Sequence, residues 1–142
     1  MNLFEIKVVY QRQTGEDNPG LVKETYVASG MTPADVQNQV VEHIAPMLFG
    51  ELEVPSIRKR NFFDVFKNEN ADNWYEVKVA MITVDGDRET RKEVLMLVQA
   101  IDIHDAANVL SVVLSSYDCE VISIIKSPVV EVLEAKPAKE EE

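Results

Sequence analysis

The sequence predicts an α+β protein: a tandem repeat of two ββαβ units, forming a largely antiparallel sheet with two helices packed on it. Three pairs of echoes predict this. Phe4-Glu5-Ile6-Lys7-Val8 returns as Tyr75-Glu76-Val77-Lys78-Val79, and Glu53-Val54-Pro55-Ser56-Ile57 as Glu120-Val121-Ile122-Ser123-Ile124. The aromatic segment Phe63-Asp64-Val65-Phe66 is matched by Val130-Glu131-Val132-Leu133. A repeated unit of this size is a supersecondary motif that buries its apolar face only against its twin. The copies run over 3–66 and 74–133 and are expected to form one globular domain, 1–133. Residues 134–142 lack apolar periodicity and read as a disordered acidic tail.

In the first copy, residues 3–11 put Phe4, Ile6, Val8 and Tyr10 on one side and Leu3, Glu5, Lys7 and Val9 on the other. That period of two marks a half-buried strand. The polar stretch Gln11 to Gly20 reads as a loop to a second strand over 21–28, which gives an antiparallel hairpin. Thr32-Pro33-Ala34-Asp35 then opens a helix: a threonine cap, a proline in the first turn and an acid three residues after the cap. Val36, Val40, Val41, Ile44, Met47 and Leu48 give that helix an apolar face, with Gly50 closing it. A strand over 52–59 and a short aromatic segment, Phe62 to Phe66, follow.

Residues 67–73 are polar and turn-rich and read as the link between copies. The second copy begins with a strand from Trp74 to Val84. Asp85-Gly86 is a strong hairpin signal, and Glu93 to Ala100 is the returning strand. Asp102 can cap a helix whose apolar positions include Ala106, Val109, Leu110, Val113 and Leu114. Cys119 to Lys126 is a further strand, and Ser127-Pro128 a break before Val129 to Leu133. Val94-Leu95-Met96-Leu97-Val98 is more apolar than Val22, Thr25, Tyr26 and Val27, so the second copy is expected to supply the central strands and the first to be more exposed.

Composition bounds the function. The 142 residues are 46% hydrophobic and carry a formal charge of −11. The segment 134–142 holds four glutamates and two lysines, which leaves −9 for the rest. Such a body repels phosphate backbones at long range and counts against general duplex binding. One cysteine, Cys119, cannot form an internal disulfide, which favours a reducing compartment, here the cytoplasm. The N-terminus lacks a positive region followed by an apolar run, so no secretory signal is expected, and no stretch approaches the ~20 apolar residues that span a bilayer.

The chemistry of a catalyst is missing from the sequence. It has no Gly-rich phosphate loop, no cysteine pair and no nucleophile elbow. His43 and His104 read as ordinary helix residues, because no spacing supplies further metal ligands. Asp85-Gly86-Asp87 resembles part of a calcium loop with the wrong downstream glutamate register, and reads as a turn. No catalytic residue, metal ligand or cofactor is therefore assigned. Two features could carry binding. The first is Arg58-Lys59-Arg60, followed by Phe62 and Phe63 with Lys67 beyond: cations share a strand face beside aromatics that could stack bases. The bland alternative is an edge strand guarded by cations against aggregation. The second is Trp74, whose counterpart Leu3 is also apolar, so that core packing is its expected role.

The strand Trp74-Tyr75-Glu76-Val77-Lys78-Val79, preceded by Phe66-Lys67-Asn68-Glu69-Asn70, resembles a small family catalogued as domain of unknown function 4494, of Bacteroidetes and their phages. Phe4 to Val8 and Glu120 to Ile124 extend the resemblance over nearly the whole chain. It implies a phage or mobile-element setting and carries over no site residues. The leading expectation is a non-enzymatic protein-interaction or accessory module, such as an assembly factor or inhibitor, with a protein partner and no membrane. The alternative is a single-stranded nucleic-acid binder in phage-type DNA metabolism. Homo-oligomerisation is left open.

Overall fold

The computed structural model describes residues 2–12 and 20–133. Its elements are β1 (Asn2–Arg12), β2 (Gly20–Gly30), α1 (Pro33–Ile44), β3 (Leu48–Arg60), β4 (Phe62–Phe66), β5 (Asn73–Asp85), β6 (Arg88–Ala100), α2 (Ile103–Val113), β7 (Cys119–Ser127) and β8 (Val129–Leu133). The protein is α+β, and its described residues form two α-helices and two four-stranded sheets of order β3-β1-β2-β8 and β4-β6-β5-β7. The chain divides into two compact units, Met1–Asn61 with Val129–Glu142, and Phe62–Pro128.

In the first unit the β1–β2 hairpin pairs in unbroken register from Asn2↔Gly30 to Arg12↔Gly20. Its alternation places Phe4, Ile6, Val8 and Tyr10 of β1, with Tyr26 and Ala28 of β2, against Val36, Val40 and Ile44 of α1. The helix starts where the sequence says it should. Thr32 Oγ1 accepts the Asp35 N–H at 3.2 Å, and Asp35 Oδ2 accepts the Thr32 N–H at 3.1 Å, a closed capping box. Its end differs from the expectation. Pro46 lacks an N–H, the helix stops at Ile44, a 3-10 turn covers Ala45–Met47, and the chain is extended from Leu48. Met47, Leu48 and Gly50 therefore do not belong to the helix. Gly50 has φ +84° inside β3, where the register slips between Tyr10↔Leu52 and Gln11↔Phe49, and it absorbs that bulge.

The second unit holds the longer hairpin, β5–β6, paired from Asn73↔Ala100 to Asp85↔Arg88. Gly86, at φ +64°, opens its two-residue turn. Asp102 Oδ1 accepts the Asp105 N–H at 2.8 Å and caps α2. Tyr75, Val77, Val79, Met96, Val98 and Ala100 pack with Ala106 and Leu110 of that helix and with Leu114, its C-cap.

Two expectations about the sheet are corrected. There are two sheets, each under its own helix, because each amphipathic helix covers one face of about four strands. Hence β1 and β2 are as central in their sheet as β5 and β6 are in theirs, and Ile6, Val8 and Tyr10 are as buried as Val77 and Val79. The short strands also pair away from the copy that precedes them in sequence. β4 runs parallel to β6, and β8 parallel to β2, both with a register slip at the same point of the pairing. The chain thus leaves the first unit after Asn61 and returns to it at Val129. Residues 134–142, expected to be a disordered tail, and residues 13–19, expected to be part of a polar loop, lie outside the described residues.

Candidate interaction surfaces

β3 carries the basic run, and its pairing with β1 decides where each cation goes. The register Leu3↔Arg60, Phe4↔Lys59, Glu5↔Arg58 puts Arg58 and Arg60 on the face of Glu5, with Lys59 on the other. Glu5 is buried, at 6% exposure, and a buried carboxylate demands cationic partners. Arg58 Nη2 lies 3.4 Å from Glu5 Oε2, and Arg60 Nη1 pairs with Oε1. The Arg60 side chain is only 13% exposed. The arginines thus neutralise an internal charge, and Lys59 is left exposed on the opposite face.

The remaining candidates fall in the second unit. Phe62 and Phe63 open β4, and the exposed Phe63 packs edge-on against Tyr117 with ring centroids 6.3 Å apart. Lys67 is exposed just beyond that strand. Trp74 is 2% exposed, and its Nε1 has no hydrogen-bond partner among the described residues. Of the residues singled out from the sequence, Arg58 and Arg60 are brought onto one partner, the buried carboxylate of Glu5.

A polar cluster in the first unit was not foreseen. Tyr10 and Tyr26 both donate O–H bonds to Glu24 Oε1, at 2.8 Å each, while Arg12 Nη2 stands 3.6 Å from Oε2. Burial first, and the bond to Glu24 second, push both phenols above their ordinary pKa, so they remain donors. His43 stacks edge-on to Tyr26 at 5.5 Å, with Nε2 3.2 Å from Glu131 of β8. The signal available in the sequence was polar tips, Tyr10 with Arg12 and Glu24 with Tyr26, on otherwise apolar strand faces. In the second unit Val94 and Met96 occupy the positions that pair like Glu24 and Tyr26, and the cluster is replaced by plain packing.

The second unit shows its own feature at β7, which among the described residues pairs with β5 alone. Val121, Ile122 and Ile125 are exposed along it, Ile125 by 63%. Beside it lies a mostly apolar groove of about 390 Å³, lined by Ala107, Leu110 and Ser111 of α2, by Leu114, Ser115 and Tyr117 just after it, and by Cys119, Val121 and Ile124 of β7. Among the described residues, no group of three or more histidines, cysteines or acids could hold a metal ion. No helix there is long and apolar enough to cross a membrane.

Taken as a class, this is an α+β protein of two helix-covered sheets, one of which exposes Val121, Ile122 and Ile125 along its edge strand β7. The model of the family described as Domain of unknown function (DUF4494) matches residues 2–135, and the chain belongs to that family. No curated protein and no solved structure gives a significant match.

Proposed function

We propose that the protein is a non-enzymatic interaction module, an accessory or assembly factor, built as a tandem of two ββαβ units in which the second copy provides the docking edge. The observation that carries this reading is β7: an edge strand with Val121, Ile122 and Ile125 exposed beside an apolar groove. Unpaired N–H and C=O groups on such an edge accept another strand, and neighbouring pockets select its side chains. The basic-aromatic segment Arg58, Lys59, Arg60, Phe62, Phe63 and Lys67 supports the nucleic-acid alternative less well, since two of the three clustered cations pair with Glu5. The single cysteine fits a cytoplasmic setting, and the phage or mobile-element context remains what the family resemblance implies.

A photo-crosslinking residue placed at Ile125, and in a separate variant at Lys59, tests this in the native host. A protein adduct at position 125 that Ile122→Pro removes, with none at position 59, is the expected result. A nucleic-acid adduct at position 59, lost when Arg58, Lys59 and Arg60 are changed to serine, would replace this reading with the nucleic-acid one.

A further inference from the structure

We propose that the partner taken up by β7 is a second copy of the same chain, joined edge to edge about a two-fold axis. The inference rests on the reading of β7 as the docking edge. Its argument is the order of charges along the strand. Asp118 and Glu120 stand at the N-terminal end, Lys126 at the C-terminal end, and the exposed apolar residues lie between them. A parallel neighbour of the same sequence would set like charges together. An antiparallel neighbour sets the acids of each copy beside the lysine of the other, and apolar residues against apolar residues. Two-fold symmetry produces the antiparallel arrangement automatically, because the same patch meets itself. Glu120 also pairs with Arg91 of β6 across β5, and the pair is solvent-exposed, so the carboxylate stays accessible to an incoming lysine.

β3 shows why the same charge order is not sufficient. It also runs from acids, Glu51 and Glu53, to cations, Arg58, Lys59 and Arg60. There, however, Pro55 stands at the register slip between Lys7↔Ser56 and Val9↔Glu53, and a proline cannot donate to an added strand. At the corresponding slip of β7, between Lys78↔Ser123 and Val79↔Val121, the residue is Ile122. The second edge keeps its donor and shows an apolar side chain in place of the proline ring.

A pairing of this length buries less than a standard interface, so dimers are expected in the micromolar range, on the order of 10 µM. Sedimentation equilibrium of the full chain over a range of concentrations measures this. Glu120→Lys and Lys126→Glu, each alone, should weaken self-association at least tenfold. An equimolar mixture of these two variants should recover it as a heterodimer, because the two lysines of one edge then face acids at both ends of the other. Ile122→Pro should weaken association by a similar factor with its melting curve unchanged, and the exposed substitution Ile125→Lys gives an independent check. A monomer at every concentration, an association indifferent to Ile122→Pro, or a mixture that fails to recover would each overturn the inference. A monomer that still yields the Ile125 protein adduct sinks the self-pairing alone; a monomer without that adduct sinks the docking edge as well.

Discussion

β3 and β7 hold the same place in their sheets, each pairing on one side with the first strand of a hairpin, yet their free sides differ. β3 carries a proline at its register slip and a cluster of cations, two of them tied to buried Glu5. β7 carries isoleucine at its slip and three exposed aliphatic side chains. Proline and charge are the ordinary means of closing an edge. One edge is therefore protected and the other offered, although both belong to similar sheets under similar helices. The helix faces differ in the same sense: a Tyr–Glu–Tyr–Arg cluster secures the first unit, whereas the matching face of the second is apolar and ends in a groove.

The harshest way to break the comparison is to separate the units. A fragment of residues 1–70 lacks β8, which pairs with β2 and brings Leu133 to the first core. It is expected to show no cooperative thermal transition, since so small a sheet under one helix barely offsets chain entropy. A sharp melt for that fragment would show that β8 is dispensable.

Core truncations come next and should treat the units alike. Ile44→Ala and Leu110→Ala each remove a fully or nearly fully buried side chain from the helix–sheet contact. Each should cost about 2–5 kcal/mol in urea unfolding. A cost confined to one of them would mean that one sheet is only loosely attached to its helix.

The polar cluster distinguishes the units by pH. Tyr10 and Tyr26 have pKa values raised in the folded state, so the folded protein keeps protons that the unfolded chain releases. Their contribution is complete below the unfolded phenol pKa of about 10 and is lost as pH climbs above it. Stability should decline from about pH 10 upward, and more gently in Tyr26→Phe. Tyr26→Phe also removes one O–H bond to Glu24 at neutral pH, a loss of about 1–2 kcal/mol. An unchanged alkaline profile in the variant would assign the decline to other groups.

Smaller still is the capping test. Thr32→Ala opens the capping box of α1 and Asp102→Ala removes the cap of α2, each at about 1 kcal/mol. Equal losses would show that the helices contribute similarly, whatever the difference between the edges.

Much of this fold was legible because its signals are local. The alternation from Phe4 to Tyr10, the Thr32-Pro33-Ala34-Asp35 start, the Asp85-Gly86 turn and the Asp102 cap each act within a few residues. What stayed hidden depends on distant partners. Nothing near Phe62 or Val129 says that these short strands run parallel to β6 and β2. The bond between Glu5 and Arg60 joins residues 55 apart, so the basic run looked like a free surface when read alone. The end of α1 was misjudged for a different reason. Met47 and Leu48 continue the apolar spacing of the helix, but Pro46 had already removed the donor that the next turn required.

Hydrogen exchange resolved along the full chain, in dilute and in concentrated solution, tests the asymmetry of the two edges most directly. With β7 as the pairing edge, amides of residues 119–127 exchange more slowly in the concentrated sample, while those of residues 48–60 exchange alike in both. Concentration-dependent protection of residues 48–60, or of neither strand, would contradict the assignment of β7 as the edge through which this protein pairs.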